Sequence, residues 1–537
     1  MRISFRNQVN LLKNCLNSFD PVSNASRYDC LTNLSSLPFS NHQDLIHYYD
    51  ALLFVIAYPA DEAQRSLAEK EMQRISSFLK SSVKYRNQRL VNSGLPFTQM
   101  ITRFSHDMVR WLLVHPHCKI ILDDFVNPSH TLNDVLRLTL PSIEQAETTA
   151  GLENIELMDA LQITPAKRLQ FVINELARFD ELPYVKDHLF DRLQTVVSIT
   201  PTSKALSKAF NRLPIAETYV HNDLLRKIDS SAILNAAVPA PIYLDMTAKE
   251  TAVRVVKNAM LLTGRETDPC TYMDENSFRW YRLERGISIA IYGMVPSRQM
   301  PLESYVGYTA FKNGYPVAYG GAWVFGERAN FGINIFKPYR NGESAFVMAQ
   351  LLRLYRHVFA IRYFEIEAYQ FGLDNPEGIA SGAFWFYYRF GFRPLDKELK
   401  ALALKEERKI KARKGYRTSQ KVLVEFTASN IGLALGRKIP PKVQDIAIRV
   451  TKMIRQHFGG DRLIAENECR MRFLHKTGMD EPSTKAENLV LTEVALWAEA
   501  LQVEERGKLE ILAEMITIKP KDVYAYQSLL LQFYHPG

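Results

Sequence analysis

A chain of 537 residues, 47% hydrophobic and 23% charged, is too long for one core and too apolar for disorder. It fits an ordinary soluble protein of about two to four domains. The net charge of +9 is modest over that length and asks for an acidic partner only where the charge concentrates, while five scattered cysteines without a C-x-x-C pair argue against a disulfide framework or zinc cage.

The cysteine usage suits a reducing compartment, so we expect a cytoplasmic protein. The opening residues hold no apolar stretch of signal-peptide length, and the longest apolar run, ALLFVIAYPA at 51–60, is far short of a membrane span. No membrane contact is expected.

From 1 to 230 the patterns are helical and read as one helical domain. Asp61 opens DEAQRSLAEKEMQRISSFLKSSV, a run ending at Val83, in which Leu67, Met72, Ile75 and Leu79 fall close to one face. Amphipathic runs follow at 102–114, 154–162, 167–178 and 186–197. HPHC at 115–118 has the composition of a metal cluster, but no complementary pair follows at finger spacing, so it reads as a surface turn. The His–Asp neighbours in FSHDMVRW and HNDLLRK are of a kind common by chance. There is no nucleophile elbow, P-loop or HExxH.

The region 235–435 alternates strands and helices. APIYLDM reads as a short strand, and Thr247-Ala248-Lys249-Glu250 as a capping box opening a helix that Gly264 ends. SYVGYTAF and YPVAYGGAWVF are strands joined by Lys312-Asn313-Gly314, a hairpin signal because Asn-Gly accepts positive φ. ANFGINIF follows, alternating Phe331, Ile333 and Ile335 with Asn330, Gly332 and Asn334. It leads through Tyr339-Arg340-Asn341-Gly342-Glu343-Ser344 into a helix with an apolar stripe of Ala345, Met348, Leu352, Tyr355 and Phe359. RYFEIEAYQFG is a further strand and IASGAFWFYYRFGF a short aromatic helix. The order implies an α/β fold, helices against a mostly antiparallel sheet. After the linker GRKIPPK, the region 440–537 returns to helices, so all-α regions are expected on both sides of the α/β domain.

A strand emptying into a helix leaves the first helical N–H groups unpaired at the positive end of the dipole. With small residues at Gly342, Ser344 and Ala345, a phosphate can approach them. The same residues serve equally as a turn glycine and a helix cap.

Residues 304 to 394 resemble the GNAT-type N-acyltransferase superfamily. That family has a hairpin, a strand, a phosphate-binding turn of the form Q/R-x-x-G-x-G/A with its helix, a strand followed by Asn, and a helix ending Tyr-x-x-x-Gly-Phe. Here the turn is Tyr339-Arg340-Asn341-Gly342-Glu343-Ser344, then Ala345. Asn375 follows the next strand, and Tyr387 opens the closing Tyr-x-x-x-Gly-Phe. The turn departs from the pattern at Tyr339, where Gln or Arg is usual, and at Ser344, where Gly or Ala is usual.

The resemblance implies acyl transfer from a thioester to an amine. No tightly bound cofactor and no metal is expected; a coenzyme A thioester is the co-substrate. Residues 339–345 (Tyr339, Arg340, Asn341, Gly342, Glu343, Ser344, Ala345) and Asn375 would hold it, with the pantetheine arm between two splayed strands. Tyr387 falls on the position of the acid that protonates the leaving thiolate, and reads otherwise as a packed aromatic. Candidate bases are Glu365 and Glu367, on one face of YFEIEAY, and Glu327 in a loop. The alternative for the first two is a salt bridge to Arg362 or Arg389. Asn334 is placed to position the amine or a water.

Between 397 and 421 stand Lys400, Lys405, Arg408, Lys409, Lys411, Arg413, Lys414 and Arg417 against Glu398, Glu406 and Glu407. This is either a solvated face or a dock for an acidic carrier, acyl carrier protein or tRNA. The function expected is N-acyl transfer from acyl-coenzyme A, with the helical regions shaping the acceptor site. The alternatives are transfer from acyl carrier protein or aminoacyl-tRNA, and a non-catalytic helical binding protein with a degenerate GNAT-like domain.

Overall fold

A computed structural model of the chain describes residues 4–82, 89–149 and 151–535. Helices Phe5–Cys15, Pro21–Ser35, His42–Ala57 and Glu62–Ser81 each begin at a cap, Ser4, Asp20, Asn41 and Asp61, whose side chain accepts a first-turn N–H. In the last of them Met72, Ile75 and Leu79 are buried, as their spacing predicts. Val83, the end of the predicted run, lies outside the described residues. Helix His42–Ala57 buries Ala51 through Ala57 without a break. A helix apolar all round belongs in the interior, and this one runs beside the turn at Lys337–Tyr339.

The expectation of an all-α region before the central domain is corrected. Strands β1 (Met100–Thr102), β2 (Cys118–Phe125) and β3 (Thr195–Pro201) form an antiparallel sheet in the order β1-β3-β2. The helix expected over 186–197 ends at Arg192, and Gln194, at positive φ, redirects the chain into β3. The β-branched run from Thr195 to Ile199 fits a pleated strand better than a helix. HPHC does form a turn at Pro116–His117 with Pro116 exposed, but His115 is buried, with Nε2 3.0 Å from Asn258 Oδ1, and burial lowers its pKa to about 4.

The larger sheet contains β4 (Arg279–Arg282), β5 (Ile287–Tyr292), β6 (Ser304–Lys312), β7 (Tyr315–Phe325), β8 (Arg328–Ile335), β9 (Tyr363–Ile366), β10 (Arg393–Pro394) and β11 (Ile431–Ala434). Its order is β10-β11-β9-β8-β7-β6-β5-β4. Every neighbouring pair is antiparallel except β8 and β9, which the Ser344–Val358 helix connects. The fold is therefore α/β with a mostly antiparallel sheet.

Several elements differ from their sequence reading. APIYLDM contributes only a single bridge, Ile242 to Trp280, and the helix after it is capped by Asp245 rather than Thr247. The strand read in RYFEIEAYQFG stops at Ile366 and tightens into a 3₁₀ turn, Ala368–Phe371. The aromatic helix is two, Pro376–Ser381 and Ala383–Arg389, broken at Gly382 in the left-handed region.

Three hydrophobic cores result. The largest joins the first four helices to both the large sheet and the Ser344–Val358 helix, so no core boundary lies near residue 230. A second gathers the small sheet and its helices with Leu261 and Leu262. The third belongs to the C-terminal helices and takes in Leu302 and Phe325. Buried polar pins join that last unit to the sheet. Gln527 Nε2 donates to the carbonyls of Gly326 (2.6 Å) and Phe359 (2.7 Å), and Lys519 Nζ to Glu303 O and Ser304 Oγ, both at 2.7 Å. Among the described residues no helix is long and apolar enough to cross a membrane, and all five cysteines are free.

Candidate functional site

Strands β8 and β9 pair at only three positions, Arg328 with Tyr363, Ala329 with Phe364 and Asn330 with Glu365. Beyond Asn330, β8 continues to Ile335 against β7 alone, while β9 ends at Ile366. The parallel pair therefore parts, leaving backbone of β8 unpaired on one side. Gln370 lies over Gly332, its Nε2 only 3.0 Å from where a Cβ on that glycine would stand. Tyr308 Oη donates to Gly332 O at 2.8 Å. Burial raises the Tyr308 pKa, with the neighbouring Tyr355 and Tyr387 phenols adding to it.

Tyr387 is buried against Phe371, Phe386 and Phe392, and its hydroxyl makes no hydrogen bond to another described residue. Burial pushes its pKa above the ordinary phenol range, so it stays protonated at neutral pH. The ring is packed, as the second sequence reading has it, and the hydroxyl has no hydrogen-bond partner among the described residues.

The three carboxylates separate. Glu365 is held by the Arg328 guanidinium and by Asn430 Nδ2 at 2.7 Å, an ion pair with neither Arg362 nor Arg389. Glu367 is exposed and accepts from Asn330 Nδ2 at 2.6 Å, where β8 and β9 part. Glu327 precedes β8, at the opposite end from the turn, ion-paired to Arg362 (3.0 Å) and 3.3 Å from His535 Nε2. Asn334 is exposed near the end of β8. Asn375 caps the Pro376–Ser381 helix, accepting from Gly378 N and donating to Tyr369 O.

The turn has two sides. Arg340 and Asn341 face solvent, with Arg340 ion-paired to Glu377 across the mouth of the gap. Ser344 Oγ donates to Arg340 O at 2.9 Å. The first N–H groups of the following helix, on Ser344, Ala345 and Phe346, have no acceptor among the described residues. Inward, Tyr339 is buried and the ring of Tyr58 lies against Gly342.

Glu343 also turns inward, into a cluster that the sequence did not announce. Its carboxylate accepts from Lys312 Nζ (2.9 Å), Arg285 Nε (2.9 Å) and Leu225 N (3.0 Å). Burial would raise its pKa, but Lys312 and these hydrogen bonds outweigh that and hold it below the usual range. Lys312, fully buried, is lowered to about 8, burial outweighing Glu343. His221 completes the cluster with Nδ1 3.2 Å from the backbone oxygen of Asp223, not its carboxylate, and burial lowers it to about 4. Lys312, beside an Asn-Gly turn, reads in sequence as a surface lysine. Only the last strand residue's inward face shows otherwise.

Helix Lys397–Ala412 carries the basic segment. Lys409 pairs with Glu406 (2.6 Å) and Lys411 with Glu407 (2.7 Å). Lys400, Lys405, Arg408, Arg413, Lys414 and Arg417 are exposed and have no ion pair among the described residues. No group of three His, Cys, Asp or Glu side chains is placed to hold a metal among the described residues.

No protein family, curated protein or solved structure matches the chain.

Proposed function

We propose that the chain is an N-acyltransferase that moves an acyl group from a coenzyme A thioester to an amine, in the gap where β8 and β9 part. The observation that supports this reading is the parting itself, three paired residues and then an open strand edge, beside a protonated and unbonded phenol. The free backbone of β8 beyond Asn330 offers N–H groups to polarise the acyl carbonyl, and an extended pantetheine arm can add to such an edge. Tyr387 is the acid for the departing thiolate. Glu367, at the fork and in water, is better placed than the locked Glu365 or the remote Glu327 to take the ammonium proton through a water. Outside the gap, the free amides of 344–346 and the cationic Lys337 and Arg340 suit the donor's phosphates.

The test is turnover of acyl-coenzyme A with a panel of amines. Tyr387→Phe should lower kcat by about 10²-fold with KM little changed. Full activity in a folded variant removes the phenol from the chemistry. No binding of coenzyme A or its esters by calorimetry overturns the donor.

A second reading, transfer from an acyl carrier protein or aminoacyl-tRNA, is favoured by one observation. Tyr58 occupies the space beside Gly342, while unpaired cations stand outward on and after the Lys397–Ala412 helix. A carrier would dock on those cations.

A further inference from the structure

We infer that the cavity between the Met246–Leu261 helix and the β4–β5 ribbon is a binding site for a small amphipathic carboxylate, with Arg282 taking the carboxylate and Trp280 the apolar body. The cavity measures about 880 Å³, a size that holds a small organic ligand. Its floor is one face of the ribbon. Trp280 and Arg282 are two residues apart on β4, and Ser288 on β5 pairs directly with Arg282, so all three side chains share that face. The helix supplies Thr247 and Thr251. The roof is the loop 213–220, pinned to the β6–β7 hairpin by Leu213 N to Gly314 O and Tyr219 N to Asn313 Oδ1, both 2.9 Å.

The polar groups decide the ligand's charge. Arg282, the Trp280 indole N–H and the hydroxyls of Ser288 and Thr247 all line the cavity. None has a side-chain hydrogen bond or ion pair among the described residues; Arg282 and Thr247 are exposed, and Trp280 and Ser288 are half-buried. The carboxylate of Asp245 is already engaged, accepting from Ala248 N at 2.8 Å. Glu217 lies on the exposed loop. Arg282 and the Trp280 indole can only donate, the two hydroxyls donate or accept, and Arg282 is the one cation among the lining residues. A single guanidinium fork matches a planar carboxylate in two parallel hydrogen bonds. A phosphate dianion would bring two negative charges to a wall that already carries the Asp245 and Glu217 carboxylates, where a carboxylate brings one.

The ligand's body follows from the rest of the lining. Trp280 lies on Phe311, ring centroids 5.1 Å apart, and Leu283 and Ile287 continue the apolar surface. At the rim, Tyr243 and Met246 are 91% and 75% exposed, so apolar surface continues outward beside Leu244.

The probes are 4-phenylbutyrate, its neutral amide and phenyl phosphate, titrated into the full-length chain by calorimetry. The acid should bind saturably and at least about 10-fold tighter than the amide, because a charge-assisted hydrogen bond is lost in the amide. Arg282→Gln should abolish that difference while leaving Tm unchanged. Thr251→Met, which narrows the cavity from the helix side, should weaken both probes. It provides the decisive measurement if Arg282→Gln does not fold. Absence of saturable acid binding, equal binding of acid and amide, or acid binding untouched by Thr251→Met overturns the assignment. Tighter binding of phenyl phosphate than of the acid overturns the carboxylate class.

Discussion

The ring of Tyr58 lies so close to Gly342 that a Cβ on the glycine would stand 2.6 Å from Cζ and 2.8 Å from the hydroxyl. Gly342 does not have positive φ, so the turn needs it for its size and not for its backbone freedom. The missing side chain makes room for a helix from the first core, and the space beside the turn is filled by protein. Any anion at this helix start approaches from the solvent side, over Arg340 and Asn341.

Substituting Gly342 should therefore cost stability first. Gly342→Ala forces the Tyr58 ring to shift, and overpacking of this kind costs about 1–3 kcal/mol. Thermal unfolding should show a lowered Tm, and Tyr58→Leu should relieve most of the added cost in the double variant. If Gly342→Ala folds with unchanged Tm yet loses coenzyme A binding, the glycine serves the ligand instead.

The Lys312–Glu343 pair should behave as a buried ion pair. Glu343→Gln leaves Lys312 without its anion and Arg285 with Asp223 alone, and should cost about 3–5 kcal/mol by denaturant unfolding, with Lys312→Met/Glu343→Leu costing less than either single change. The sign of the pH effect follows from Glu343. Its folded pKa lies below the unfolded value of 4.5, so its contribution is complete above that value and is lost as pH falls through the folded one. Wild type and Glu343→Gln should converge in stability at acid pH.

Lys519 should give the same direction of pH dependence, at higher pH. Burial lowers it from 10.5 to about 7. Between those values the unfolded chain binds the proton and the folded one does not, so stability rises with pH across that window, by at most about 1.4 kcal/mol per unit. Lys519→Met should flatten the rise, measured as the difference in unfolding free energy between the two proteins at pH 7 and pH 9.

Charge removal on the basic segment separates the donors. Replacing Lys405, Arg408, Arg413 and Lys414 by Gln should leave Tm within a degree or two, since none has an ion pair to lose and exposed substitutions cost little, roughly 0.5 kcal/mol or less. If a polyanionic carrier docks there, tRNA or acyl carrier protein binding should weaken and lose salt dependence. Turnover of free acyl-coenzyme A should be unaffected.

The strands β6, β7 and β8, the Asn313-Gly314 hairpin and the Ser344–Val358 helix were legible because their signals are local. A period of 2 or 3.6 and the chemistry of a turn are complete within one segment. β10 and β11, two and four residues long, are too short to show a period. β5 did show one, with Ile287, Ile289 and Ile291 alternating, and its pairing with β6 supplied what the pattern left unread.

The candidate site divides along the same line. The sequence by itself determined that a strand runs through a small-residue turn into an apolar helix, and that Tyr387 lies on an aromatic helix just before Gly391. Only the tertiary structure decided what each residue meets there. Tyr58 fills the space at Gly342, Arg285 and Lys312 hold Glu343, Arg328 locks Glu365, and β8 and β9 part after Asn330. These partners come from segments far apart in the chain. Packing density and charge neutrality in a core are conditions on what is near in space, and neither leaves a period in the sequence.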